Sequence, residues 1–299
     1  RTKLYAVRHL HVQHGLGDIL KHKPGLHQFL GALKEFKGPA DAKHPVTVAM
    51  LRCIKDTLDC STVEGVVMWA AVATGFHFML RSAEYLAKES GGRFDLDRVL
   101  RVMDVTFYLG GIRTTAYRDA DEVRLVFGKQ KMSGGGEVRC MRSCDSDLCV
   151  VKALAALFLC IDSTDKQQAL FAWPRDVCRP GSGVRYCDML ALLKHAAALC
   201  GRDITKFGTH SLRRGGASSC LAAGSTLEQV TFHGRWAPGS SAVLRYVEAG
   251  AGMLVAGHQA NVLAGTVLAE VVERHPPRAR LRREFEVAQC LRATLNSRA

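Results

Sequence analysis

Five short segments carry side chains suited to gripping or attacking an anionic centre. In Phe78-Met79-Leu80-Arg81-Ser82-Ala83-Glu84-Tyr85-Leu86, an arginine closes a long apolar run, where it is out of place unless it meets an anion. The plainer alternative is a helix-end pair with Glu84, three residues on, and Glu84 reads as a brace for the Arg81 region. In Val126-Phe127-Gly128-Lys129-Gln130-Lys131, a lysine at a hairpin edge beside a Gly-rich turn can reach into a groove. The alternative is a solvated edge charge that blocks strand pairing. The hairpin register is open, so Lys131 stands beside Lys129. In Gly208-Thr209-His210-Ser211-Leu212-Arg213-Arg214-Gly215-Gly216, Thr209 is placed to cap a helix, with His210 and Arg213 on one face close to an N-terminus that favours anions. The glycine pair admits a close approach by a ligand or tight helix packing. His233-Gly234-Arg235-Trp236 reads as a buried Trp anchoring a turn. In Ser240-Ser241-Ala242-Val243-Leu244-Arg245-Tyr246-Val247, Tyr246 lies ten residues after Trp236 and is the nucleophilic type.

The elements that must position these groups follow from periodicity. Tyr5 to Val12 is helical in character, with His9 and His11 on a basic surface. Leu26, Phe29, Leu30 and Leu33 form an amphipathic stripe, stopped by Gly38-Pro39. Residues 37–45 form a basic, Pro/Gly-marked linker. Val48, Leu51, Ile54 and Leu58 mark the next helix, and Val66 to Leu80 a buried one. The latter is shorter than the ~20 residues a bilayer needs, so no membrane span is expected. The period then changes: Val102 to Phe107 reads as a strand. Val123, Leu125 and Phe127 alternate with polar neighbours, as do Val138 and Cys140 beyond a Gly-rich tip, which is a β-hairpin. Helices resume at Leu148–Ile161 and Asp188–Cys200, after Thr209, at Ser225 (with Glu228 at capping-box spacing) and after Ser240. The fold class is mainly α with a small antiparallel β-sheet, α+β.

The chain has 299 residues, roughly two domains' worth. Apolar residues make up 47%, enough for a sizeable core, which excludes a disordered chain, a collagen or a small disulfide scaffold. The net charge of +13 favours an anionic partner. Eleven scattered cysteines with no CxxC point to a reducing, intracellular compartment. Cys140, Cys144 and Cys149 cluster, but a fourth ligand at zinc-like spacing is missing, and no metal is expected. No signal peptide is visible, and the start at Arg1 rather than Met suggests a longer parent chain. From Gly250 the chain is apolar to Val272, then basic from His275-Pro276-Pro277-Arg278 to Arg283, read plainly as a packing helix with a solvated end.

The order Arg81, hairpin Lys129, His210-x-x-Arg213, Gly-Arg-Trp236 and Tyr246 resembles the tyrosine recombinase (phage integrase-like) family, over roughly His44 to Gly250. Many members carry His after Leu-Gly where this chain has Trp236. The Gly-Arg-Trp form resembles recombinases of eukaryotic mobile elements, DIRS-like or Crypton-like. The gap from Trp236 to Tyr246 is slightly longer than is common among bacterial members. The resemblance implies residues 1–36 as the end of a helical core-binding domain, 37–45 as linker, 46–250 as the catalytic domain and 251–299 as a tail exchanged between protomers. It also implies site-specific cleavage and rejoining of DNA through a 3′-phosphotyrosyl intermediate. Tyr246 would attack. Arg81 and Arg213 would clamp the non-bridging oxygens. His210 would bind the phosphate or help deprotonate the nucleophile, Lys129 (or Lys131) would protonate the leaving 5′ oxygen, and Trp236 would donate its indole N–H. No metal or nucleotide cofactor is called for. The expected partner is double-stranded DNA, met by a homo-tetramer on paired sites. Lys21, Lys23, Lys37, Lys43, Lys131 and Arg214 would add phosphate contacts. The location would be nuclear for a eukaryotic element. The alternative is a domesticated, non-catalytic DNA-binding protein that kept the fold. A type IB topoisomerase shares the chemistry but has large accessory domains. A small-molecule α/β enzyme lacks its Gly-rich fingerprint here, since Gly134 to Gly136 is a hairpin tip.

Overall fold

The computed structural model describes residues 2–18, 21, 43–87, 94–128, 136–161, 163–173, 183–237 and 243. Among these the chain is α+β, with seven α-helices and one antiparallel four-stranded sheet. It divides into two compact units, Arg1–Ala42 and Lys43–Ala299. The first holds α1 (Thr2–Gln13). Arg8 pairs there with Asp18 at 2.5 Å. The helix expected around Leu26 to Leu33 lies outside the described residues.

The second unit is organised around an apolar helix. α2 (Val48–Thr57) starts where the Thr47 hydroxyl accepts from the Met50 N–H at 3.2 Å, and it buries Met50, Leu51 and Ile54. α3 (Val63–His77) is apolar all round, and so runs through the core with α4 (Val150–Cys160) and α6 (His210–Ala222) against it. α5 (Tyr186–Leu199) packs on α2 and begins earlier than Asp188. Its start is fixed by Asp188, which accepts from the Arg185 N–H at 3.1 Å. α7 (Leu227–His233) is capped by Thr226 and Gln229, not by Ser225 and Glu228. The Gln229 amide oxygen accepts from the Thr226 N–H at 2.8 Å, and that bond shifts the start by one residue.

The expected helix end at Leu80 is corrected: α3 stops at His77. Met79 takes a left-handed conformation, φ +51°. The Leu80 N–H then bonds back to the Gly75 carbonyl at 3.0 Å, and the Met79 N–H to that of Phe76 at 3.2 Å, which is a Schellman cap. Arg81 therefore stands ahead of a short 3₁₀ turn, Ser82–Glu84, not on the helix. α7 ends in the same way. Arg235 is left-handed at φ +57°, and the Trp236 N–H reaches the Thr231 carbonyl at 3.0 Å.

The sheet runs β2-β1-β3-β4, with β1 Val105–Leu109, β2 Ile112–Thr114, β3 Glu122–Phe127 and β4 Glu137–Arg142. Val102–Asp104 forms a 3₁₀ turn instead of the start of a strand, because Asp104 accepts from the Arg101 N–H at 2.8 Å. β3 alternates as expected, burying Val123, Leu125 and Phe127. β4 does not: Val138 and Cys140 are half-buried and Arg139 is the buried residue. β4 is an edge strand, and Arg139 turns to the end of α7, where Nη2 donates to the Phe232 carbonyl at 2.6 Å. The helix sought after Ser240 lies outside the described residues apart from Val243. Among the described residues no helix is long and apolar enough to cross a membrane.

Candidate functional site

α6 meets α3 and the segment ahead of α2 at main-chain distance. A Cβ on Gly215 would stand 2.2 Å from the Val46 carbonyl oxygen, and one on Gly216 2.1 Å from that of Phe76. The glycine pair therefore serves tight packing. Thr209 occupies the cap position, but its side chain makes no cap bond and its backbone is already helical. The Ser211 hydroxyl accepts from the Gly208 N–H instead, at 3.1 Å.

This packing sinks Arg213, which is 1% exposed. Its Nη1 donates to the Met79 carbonyl and its Nη2 to the Gly234 carbonyl at 2.7 Å. The guanidinium lies 3.9 Å from the centre of the Trp236 ring, a cation–π contact. Gly234 is required there, since a Cβ would fall 1.6 Å from the Trp236 ring. Trp236 itself packs with Met79, Ala217, Val230 and Val243.

Arg81 is the open member of the group, with 38% of its side chain exposed. Its Nη1 donates to Glu84 Oε1 at 2.8 Å and its Nη2 to the Arg235 carbonyl at 3.2 Å. Glu84 is buried and braces the region, as its spacing suggests. Its Oε2 accepts from the Arg81 N–H at 2.8 Å and from Arg235 Nη2 at 2.6 Å. Burial pushes the Glu84 carboxyl up, but Arg235, the Arg81 N–H and the Arg81 and Arg213 charges outweigh it, and the net direction is down. Among the described residues, Glu84 is thus faced by three guanidiniums, those of Arg81, Arg213 and Arg235.

His210 opens α6 and reaches solvent, yet its ring is flanked closely enough to lose hydration. That desolvation, followed by the charges of Arg213, Arg214 and Arg81, lowers its pKa below the usual histidine value. The ring is therefore mainly neutral at pH 7.

The hairpin reaches the same place from the other side. The Arg235 guanidinium stacks 3.8 Å from the Phe127 ring, at the last residue of β3. The Gly136 N–H closes the hairpin on the Phe127 carbonyl at 2.8 Å. Lys129 and Lys131 lie outside the described residues, as do Tyr246, Lys23 and Lys37. Lys21 is exposed in the first unit. Lys43 Nζ donates to the Thr205 carbonyl at 2.6 Å, and Arg214 Nη1 to the Lys43 carbonyl.

Four sequence-selected residues, Arg81, His210, Arg213 and Trp236, are thus gathered around one turn. The sequence reading missed Arg235 as an interior charge, Arg139 as a clamp, and His233. His233 donates from Nε2 to the His77 carbonyl at 2.8 Å, and burial pushes it down to about 4. A charged residue wedged between Gly234 and Trp236 was the available signal for Arg235. Among the described residues no group of three or more His, Cys, Asp or Glu converges on a metal-sized site. In the cysteine cluster, Cys149 Sγ accepts from the Cys144 N–H at 3.4 Å. No protein-family model matches the chain, and a search of curated proteins found no match.

Proposed function

We propose that the chain is a tyrosine recombinase that cleaves and rejoins double-stranded DNA. One observation carries the reading: Arg81 and His210 stand on the open side of a group of guanidiniums whose buried members, Arg213 and Arg235, are fixed beneath them. Such preset charge suits a phosphodiester whose non-bridging oxygens gain charge under attack. In the proposed step the Tyr246 phenol oxygen bonds to phosphorus and its proton passes to neutral His210. The bond from phosphorus to the 5′ oxygen breaks, and that oxygen takes a proton from Lys129 or Lys131. The reverse sequence rejoins the strand. Nothing is oxidised or reduced, and the phosphotyrosyl link conserves the bond. Arg81, with part of its side chain exposed, would turn its fork onto the phosphate. For Arg213 to do so it must give up the carbonyls of Met79 and Gly234. As placed, it supplies charge from below and orients Trp236. The net charge of +13 supports a long duplex contact, with Lys43 and Arg214 beside α6. A homo-tetramer on paired sites, and a nuclear location for a eukaryotic element, belong to the same reading.

The sealing of Arg213 favours one second reading: a non-catalytic DNA-binding protein in which that arginine is a core residue. Covalent trapping separates the two. The full chain is offered nicked duplexes built from DNA flanking its gene, then denatured, with Tyr246→Phe as control. An adduct that maps to Tyr246 and is lost in the control supports the enzyme. Retained DNA without an adduct supports the binder. An adduct that persists in the control overturns Tyr246 as nucleophile.

A further inference from the structure

Three helices among the described residues start on a threonine whose hydroxyl accepts a first-turn amide: Thr47 for α2, Thr62 for α3 and Thr226 for α7. α4 starts instead on Cys149, which is 2% exposed. Its sulfur is met by a second cysteine. The Cys144 N–H donates to Cys149 Sγ at 3.4 Å, the Cys144 thiol makes a side-chain hydrogen bond to Cys149, and the Ser143 hydroxyl lies 3.8 Å away. Cys144 is exposed, and both cysteines are free thiols. The loop that carries them is anchored along its length. The Ser143 N–H donates to the Asp121 carbonyl at 2.7 Å, Lys55 Nζ to that of Asp147 at 2.7 Å, and His77 Nε2 to that of Leu148 at 3.0 Å. Two thiols are thus held together, one open to solvent and one beneath it.

We propose that Cys144 and Cys149 form a peroxide-oxidised dithiol that closes into a disulfide and is reopened by thiol reductants. Burial pushes the Cys149 thiol up, but the Lys152 and Cys144 amides, the Ser143 hydroxyl and the Val151 amide outweigh it, and the net direction is down. Burial, joined by the charge and hydrogen bond of Cys149, raises Cys144. The proton of the pair therefore sits on Cys144, and the roles divide. The exposed Cys144 sulfur attacks one oxygen of hydrogen peroxide. The O–O bond breaks, and the thiol proton passes by way of the Cys149 thiolate to the leaving hydroxide as water. Cys144 is left as a sulfenic acid. The Cys149 sulfur then bonds to the Cys144 sulfur, the S–O bond breaks, and the second hydroxide takes a proton from solvent. The two sulfurs give up two electrons, and the peroxide is reduced to two waters. A disulfide gains less stability the shorter the loop it closes, and this loop is short, so the bond reopens rather than staples the fold. Neither capping nor packing calls for an exposed thiol at position 144, whereas a partner for a thiolate does. The chemistry uses none of the residues gathered around Trp236.

The test treats the freshly reduced full chain with hydrogen peroxide, quenches with an alkylating reagent and maps the cysteines by peptide mass spectrometry. A disulfide between Cys144 and Cys149 should accumulate about tenfold faster than any oxidation of Cys60 or Cys160, two other exposed thiols. Dithiothreitol should remove it. In Cys144→Ser, Cys149 should stay reduced over the same interval, because burial denies it the oxidant. In Cys149→Ser, Cys144 should stop at the sulfenic acid, trapped by dimedone, and reach it about tenfold more slowly without the neighbouring thiolate. Cys144→Ser changes an exposed position, so its result stands even where Cys149→Ser does not fold. Oxidation of Cys60 or Cys160 at an equal rate, or Cys144 paired with any other cysteine, overturns the proposal. Oxidation of Cys149 in the Cys144→Ser chain overturns the division of roles.

Discussion

Two helix ends at the candidate site and three elsewhere share one cap geometry but differ in the residue at its left-handed position. α1, α5 and α6 use glycine there, at Gly15, Gly201 and Gly224. α3 and α7 use Met79 and Arg235. A side chain in this conformation costs roughly 1–2 kcal/mol, so glycine is the relaxed choice. Where only a helix must end, the chain takes it. At the site the strained position earns side chains with further duties: Met79 fills the pocket against Trp236, and Arg235 pairs with Glu84. The two strained caps also trade carbonyls, since Met79 receives Arg213 and Arg235 receives Arg81.

The largest expected difference between the two kinds of cap is in acid. α7 and α3 both end in histidine, and His233 bridges them through the His77 carbonyl. Its folded pKa of about 4 lies below the unfolded value near 6.5. The unfolded chain therefore binds a proton that the folded chain refuses. The contribution is fully present above pH 6.5 and falls by about 3 kcal/mol as pH drops to 4. Denaturant titrations at pH 7 and pH 4.5 should show this loss, and His233→Gln should flatten it. Arg235→Gly relaxes the cap but leaves Glu84 short of a buried partner, a net loss of about 3 kcal/mol by the same titration at pH 7. Met79→Gly also relaxes its cap. The emptied pocket beside Trp236 should nonetheless cost about 2 kcal/mol, and a gain in stability would show that packing does not explain Met79. Gly224→Ala, at an ordinary cap, should cost only about 1 kcal/mol by the same titration.

The elements with unbroken periodicity were legible from sequence: α2, α4 and the alternating β3. So were Arg81, His210, Arg213 and Trp236 as a set, because side-chain type and order carry that signal. The burial of charge was not. Arg139 and Arg235 drew no reading of their own, since nothing local announces a carbonyl or carboxylate waiting more than 90 positions away. The end of α3 was hidden because Phe78, Met79 and Leu80 extend the apolar pattern while the backbone has already reversed its hand at Met79. Thr226 replaced Ser225 as a cap because both neighbours offer a hydroxyl and an acceptor at the same spacing.

The glycine contacts of α6 with α3 and with the segment ahead of α2 have a mechanical consequence. A seam of side chains yields by switching rotamers, whereas Gly215 and Gly216 rest against the main-chain oxygens of Val46 and Phe76, which have no such freedom. The seam is therefore stiff in both sliding and rotation, and His210 and Arg213 ride on its rigid half. Any compliance at the candidate site must come from the opposite wall, the short α7 and the turn that follows it.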